Sequence, residues 1–102
     1  MAIQWQQSSQ GKQVLLCSGV IGSDSVSQMT SALAFPVDAG DISSLEADLS
    51  AVEYLDSCGF GFLLQLRESA RLVGRDVALT HCSPAALKQL QQMRFDKIFQ
   101  IS

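Results

Sequence analysis

The chain has 102 residues, 47% of them apolar, which suits one domain built on one core and leaves little room for a second. The formal charge is −3 without a basic cluster, because Glu68 and Asp76 interrupt Arg67, Arg71 and Arg75, so no nucleic acid is expected as a partner. No run approaches the roughly 20 apolar residues of a membrane span, so no membrane insertion is expected, and three cysteines without close pairing beside a single histidine favour neither a disulfide framework nor a structural zinc site.

The N-terminus Met1–Gln7 is polar, has no basic residue before Lys12, and does not read as a secretory signal. Together with the unpaired cysteines this points to a cytoplasmic setting. Ile3-Gln4-Trp5-Gln6 alternates and reads as an edge strand. Val14-Leu15-Leu16-Cys17 is an apolar run that reads as a central strand, with Gln10-Gly11 as the turn between them. Ser23-Asp24-Ser25 offers caps for a helix in which Val26, Met29 and Leu33 recur at helical spacing, ended by Pro36. A loop is expected from Pro36 to Ser43. Leu45, Ala47 and Leu49 alternate over Ser44–Leu49, predicting a strand, with Ser50–Leu55 as a connector.

From Ser57 to Val73 the spacing is helical, with Phe62, Leu63, Leu66, Ala70 and Val73 on one face and Gly74 just past the end. Val77–Thr80 reads as a strand. Ser83-Pro84 starts a helix whose apolar face is Ala86, Leu87, Leu90 and Met93. Ile98–Ile101 reads as a last strand. Strand–helix alternation after a hairpin predicts an α/β fold, with a mixed, mostly parallel β-sheet and about three helices mainly on one face.

Taken alone, Asp56-Ser57 before a helix is a capping pair. Gly59-Phe60-Gly61 lacks the GK[ST] ending of a phosphate-binding loop, and its glycines instead permit close approach of a backbone, internal or a partner's. Phe60 and Leu64 fall on the side away from Phe62 and Leu66 and share it with Arg67, Glu68 and Arg71. Two large apolar residues among charges form a candidate protein-contact stripe, though Leu64 packed beneath a neighbouring helix fits the spacing equally. An enzyme is not expected. Ser57 has only His81 to call on, the GxSxG elbow is absent, and Cys58 has no evident activating base.

The block Asp48-Leu49-Ser50-Ala51-Val52-Glu53-Tyr54-Leu55-Asp56-Ser57-Cys58-Gly59 resembles the signature of STAS domains, the fold of bacterial anti-sigma factor antagonists. That signature runs Asp-Leu-Ser, a hydrophobic linker, then Asp-Ser-Ser-Gly entering a helix. Gly74 and Cys82-Ser83-Pro84 extend the resemblance, so one STAS domain spanning residues 1–102 is implied. The resemblance implies phosphorylation of Ser57, with Asp56, Cys58 and Gly59 as its environment. It implies a partner-switching regulator that needs no cofactor. The unphosphorylated form would hold an anti-sigma factor or another effector, a serine kinase of the GHKL type would break that contact, and a PP2C-type phosphatase would restore it. Glu53, Phe60, Leu64 and Arg67 are the candidate partner-binding residues. A non-switching STAS adaptor of a lipid-transport ABC complex is the alternative. Two departures from the family pattern stand out. Cys58 replaces the second serine, and the usual C-terminal helix is expected to be missing or truncated, since the sequence stops at Ser102.

Overall fold

Residues 2–7, 12–33 and 44–102 are described in the computed structural model. The Gln10-Gly11 turn, the Pro36 helix stop and the loop from Pro36 to Ser43 lie outside them. The elements in chain order are β1 (Ala2–Gln7), β2 (Lys12–Ile21), a 3-10 turn (Ser23–Ser25), α1 (Val26–Ala32), β3 (Ser44–Leu55) and α2 (Ser57–Leu72). Then come β4 (Val77–Thr80), α3 (Pro84–Gln92), a second 3-10 turn (Phe95–Lys97) and β5 (Gln100–Ile101). The five strands lie side by side in sequence order. β1 is antiparallel to β2, and every later pair is parallel. The expected hairpin and mostly parallel sheet are both present.

Alternation along the strands decides where the core lies. Gln13, Leu15 and Cys17 of β2, Leu45, Ala47 and Leu49 of β3, and Val77 and Leu79 of β4 are buried on the face that the helices cover. Residues between them, such as Val14, Leu16, Glu46 and Thr80, are only half-buried. Helices on one face and a more open second face produce this pattern. Trp5 pairs with Leu15 across the hairpin. Its indole Nε1 donates to the Ala32 carbonyl at 2.8 Å, satisfying an acceptor at the C-terminal end of α1. Burial first, and the Asp48 charge second, pushes the Cys17 thiol up to about 12, so Cys17 is an inert core residue.

β3 differs most from the sequence reading. The expected connector Ser50–Leu55 is strand. Its pairing with β2 shifts register twice, between Leu16 and Ser18 and between Gly19 and Val20. Each shift places an extra residue on β3, and such bulges turn the chain. The buried residues therefore run Leu49, Val52, Leu55, three apart instead of two. That spacing hides a strand from any search for strict alternation.

Four smaller differences follow from caps and aromatic packing. The last strand is only Gln100–Ile101, because Phe95–Lys97 forms a 3-10 turn. There Phe95 stacks on Phe99, with ring centroids 5.6 Å apart. Val73 and Met93, expected on apolar faces, are the C-caps of α2 and α3 and stand exposed. Val26, at the first position of α1, is also exposed, whereas Met29 is buried.

Candidate functional site

The C-terminal ends of β2 and β3 lie side by side, with Ile21 paired to Leu55. Open parallel sheets gather ligands and sites at this end of their strands. β3 passes into α2 through Asp56, which stays extended and is the helix N-cap. The first amides of a helix have no partner within it. Asp56 supplies one: its Oδ1 accepts from the N–H of Cys58 at 2.8 Å and of Gly59 at 3.1 Å. Its Oδ2 accepts from the Ser23 N–H at 3.0 Å, on the loop leaving β2. The Asp56 N–H donates to the Ile21 carbonyl at 3.2 Å. Asp56 thus ties two chain segments together. These donors, Ser23 foremost and then Gly59 and Cys58, hold its carboxyl below the usual carboxylate range.

Ser57 is the first residue of α2 and is exposed. Its hydroxyl has no hydrogen-bond partner among the described residues. Free amides at a helix start can receive an anion. Here the Cys58 and Gly59 amides are already bound to Asp56 and are not free for a group carried on Ser57. Cys58 is exposed beside it.

Gly59 answers the question of which backbone its missing side chain admits. A Cβ there would collide with the backbone carbonyl of Ile21, so the close approach is internal. Gly61 differs, since a Cβ there meets nothing within 4 Å. It borders a shallow groove with Val26, Met29 and Thr30 of α1 and Cys58 and Gln65 of α2. Gly22 has a role that sequence reasoning missed, because a Cβ on it would strike the Asp56 carboxylate. A glycine just past an apolar strand carries no signal of that contact.

The remaining candidates are spread around α2. Phe60 is half-buried and meets Phe95 edge-on, with centroids 5.2 Å apart. Arg67 is half-buried, 3.3 Å from Glu68, and borders a groove that Ile98 and Gln100 line on the β5 side. Leu64, 40% exposed, lies on the outward side of the helix with Ser57 and Glu68. Phe60 and Arg67 therefore flank the side of the second 3-10 turn and β5, and of the three only Leu64 continues outward from Ser57. Glu53 is exposed near the end of β3. Among the described residues no group of three or more His, Cys, Asp or Glu could hold a metal ion, and no helix is long and apolar enough to cross a membrane.

Comparison with known proteins agrees with this arrangement. A family model described as STAS domain matches residues 7–102, and the chain belongs to that family. The STAS-domain containing protein PA14_20770 of Pseudomonas aeruginosa (strain UCBPP-PA14) is 40% identical over 55 residues, 54% of this chain and 54% of that protein. The match thus spans about half the length of that curated relative. An anti-sigma factor antagonist from Mycobacterium paratuberculosis has a TM-score of 0.75 at 26% identity, covering 98% of this chain and 83% of its own. The Bacillus cell fate determinant SpoIIAA, in its phosphorylated form, has a TM-score of 0.65 at 20% identity, covering 99% and 91%. The fold is that of the anti-sigma factor antagonists.

Proposed function

We propose that this protein is a partner-switching regulator of the anti-sigma factor antagonist type, controlled by reversible phosphorylation of Ser57. The observation that carries the reading is the Ser57 hydroxyl itself, exposed at the first position of α2 and outside the hydrogen-bond network that holds its neighbours. Support comes from the relatives: the Mycobacterium paratuberculosis protein is described as an anti-sigma factor antagonist, and SpoIIAA has a phosphorylated form of the same fold. The protein acts as ligand and kinase substrate, not as an enzyme, in the cytoplasm. Its partners are an anti-sigma factor or another effector, a serine kinase of the GHKL type and a PP2C-type phosphatase.

The physical basis is charge and bulk. A phosphate adds about −1.5 to −2 charge at neutral pH. It would join Asp56, with Asp24 and Glu53 also exposed around this end of the sheet. A partner docked over Ser57 then meets like charge and desolvation, and about 1.4 kcal/mol suffices for a tenfold loss of affinity. The test compares Ser57→Ala and Ser57→Asp for binding to the cognate anti-sigma factor or effector by calorimetry. Ser57→Ala binds like the unmodified chain, and Ser57→Asp binds at least about tenfold more weakly. Equal binding by the two variants rejects the switch.

A further inference from the structure

The far edge of β3 is where the sheet runs out of strands. β4 pairs with β3 only over Leu45–Asp48. From Leu49 to Leu55, β3 keeps β2 on one side, while its other side has no strand among the described residues. Backbone groups in such a place need partners from elsewhere. α3 and its cap provide them. The Ser83 N–H donates to the Leu49 carbonyl at 3.2 Å. The Ser83 hydroxyl donates to the Val52 carbonyl at 2.7 Å. Gln89 engages both polar groups of Leu55: the Leu55 N–H donates to its Oε1 at 2.9 Å, and its Nε2 donates to the Leu55 carbonyl at 2.8 Å. A carboxamide presents an acceptor and donors as a peptide group does. One side chain therefore stands in for one residue of absent strand.

Leu55 is fully buried and immediately precedes Asp56-Ser57. On its β2 side it pairs with Ile21, and the next amide, Asp56, donates to the Ile21 carbonyl at 3.2 Å. The last turn of chain before Ser57 is thus held from both flanks, by β2 and by Gln89. We propose that Gln89 is a positioning residue for Ser57, setting the point at which the chain leaves the sheet and presents its hydroxyl. This inference rests on the reading of Ser57 as the phosphoacceptor. It assigns a role to a residue on a different helix, far away in sequence.

The test uses the full chain with Gln89→Ala and the near-isosteric Gln89→Met, which keeps apolar packing but makes neither bond. Amide hydrogen exchange at Leu55 accelerates at least about tenfold in both variants, with core amides of β2 changing far less. Phosphorylation of Ser57 by a GHKL-type kinase loses about tenfold in kcat/KM in both, since misplacing an acceptor is costly. Wild-type protection in Gln89→Met reduces Gln89 to packing and overturns the proposal. Equal acceleration of every amide overturns it as well, because the effect is then global. Normal phosphorylation of both variants with Leu55 released overturns the positioning role alone. If the wild-type chain is not phosphorylated at Ser57, the reading of Ser57 fails and the positioning role with it, while the exchange data still report whether Gln89 holds Leu55.

Discussion

Asp56 carries the most connections of any residue at the site. One carboxylate oxygen binds two amides of α2, and the other binds the loop after β2. Because these bonds depress its folded pKa, the sign of the pH effect follows. The stabilisation is fully present above the unfolded value of about 3.9 and is lost as pH falls through the lower folded value. The expected outcome is an acid limb in the thermal stability profile that flattens in Asp56→Asn, with a lower Tm for that variant at neutral pH. An acid limb of unchanged shape in Asp56→Asn would assign acid sensitivity to other carboxylates. The role of Asp56 as a cap was legible in the sequence, since an acid before a helical pattern is a standard start signal. Its second bond, to Ser23, was not. Nothing in local spacing reports that the end of β2 comes to rest against α2.

At the scale of elements, α2 was the easiest to read and β3 the hardest, for opposite reasons. The α2 helix keeps one uninterrupted period, so Phe62, Leu63, Leu66 and Ala70 appear as a buried stripe in the bare sequence. β3 changes its period at each bulge, and tertiary pairing, not local pattern, makes its second half a strand. The less buried side of α2 was partly legible. Spacing placed Phe60, Leu64 and Arg67 away from the core centre, but it could not report that Phe95 closes over Phe60. The two glycines of α2 provide a direct test of the packing. Gly59→Ala must displace the Ile21 carbonyl, at a cost of about 1–3 kcal/mol. Gly61→Ala adds a methyl in open space and gains about 0.5–1 kcal/mol from helix propensity. For a domain of this size each kcal/mol moves Tm by roughly 4–8 °C. Calorimetry is therefore expected to show shifts of opposite sign, and a loss in both variants would mean that Gly61 is packed after all.

At the scale of the molecule, the parallel arrangement of β2 and β3 brings two separate stretches of chain to one corner. Gly22 and Asp56 touch there: any side chain at 22 enters the space of the carboxylate. Mutations at touching positions do not add. Gly22→Ala is expected to lower Tm sharply in the wild-type chain and much less when Asp56→Gly is already present, with a non-additive difference of about 4 °C or more. Strict additivity in that cycle would show that the corner relaxes freely. The consequence reaches into descent. A lineage carrying this corner cannot explore larger residues at 22 while Asp56 keeps its three amides, and it cannot abandon Asp56 without releasing the loop after β2. The two codons are bound to a shared fate, and the order in which they change decides which descendants remain folded along the way.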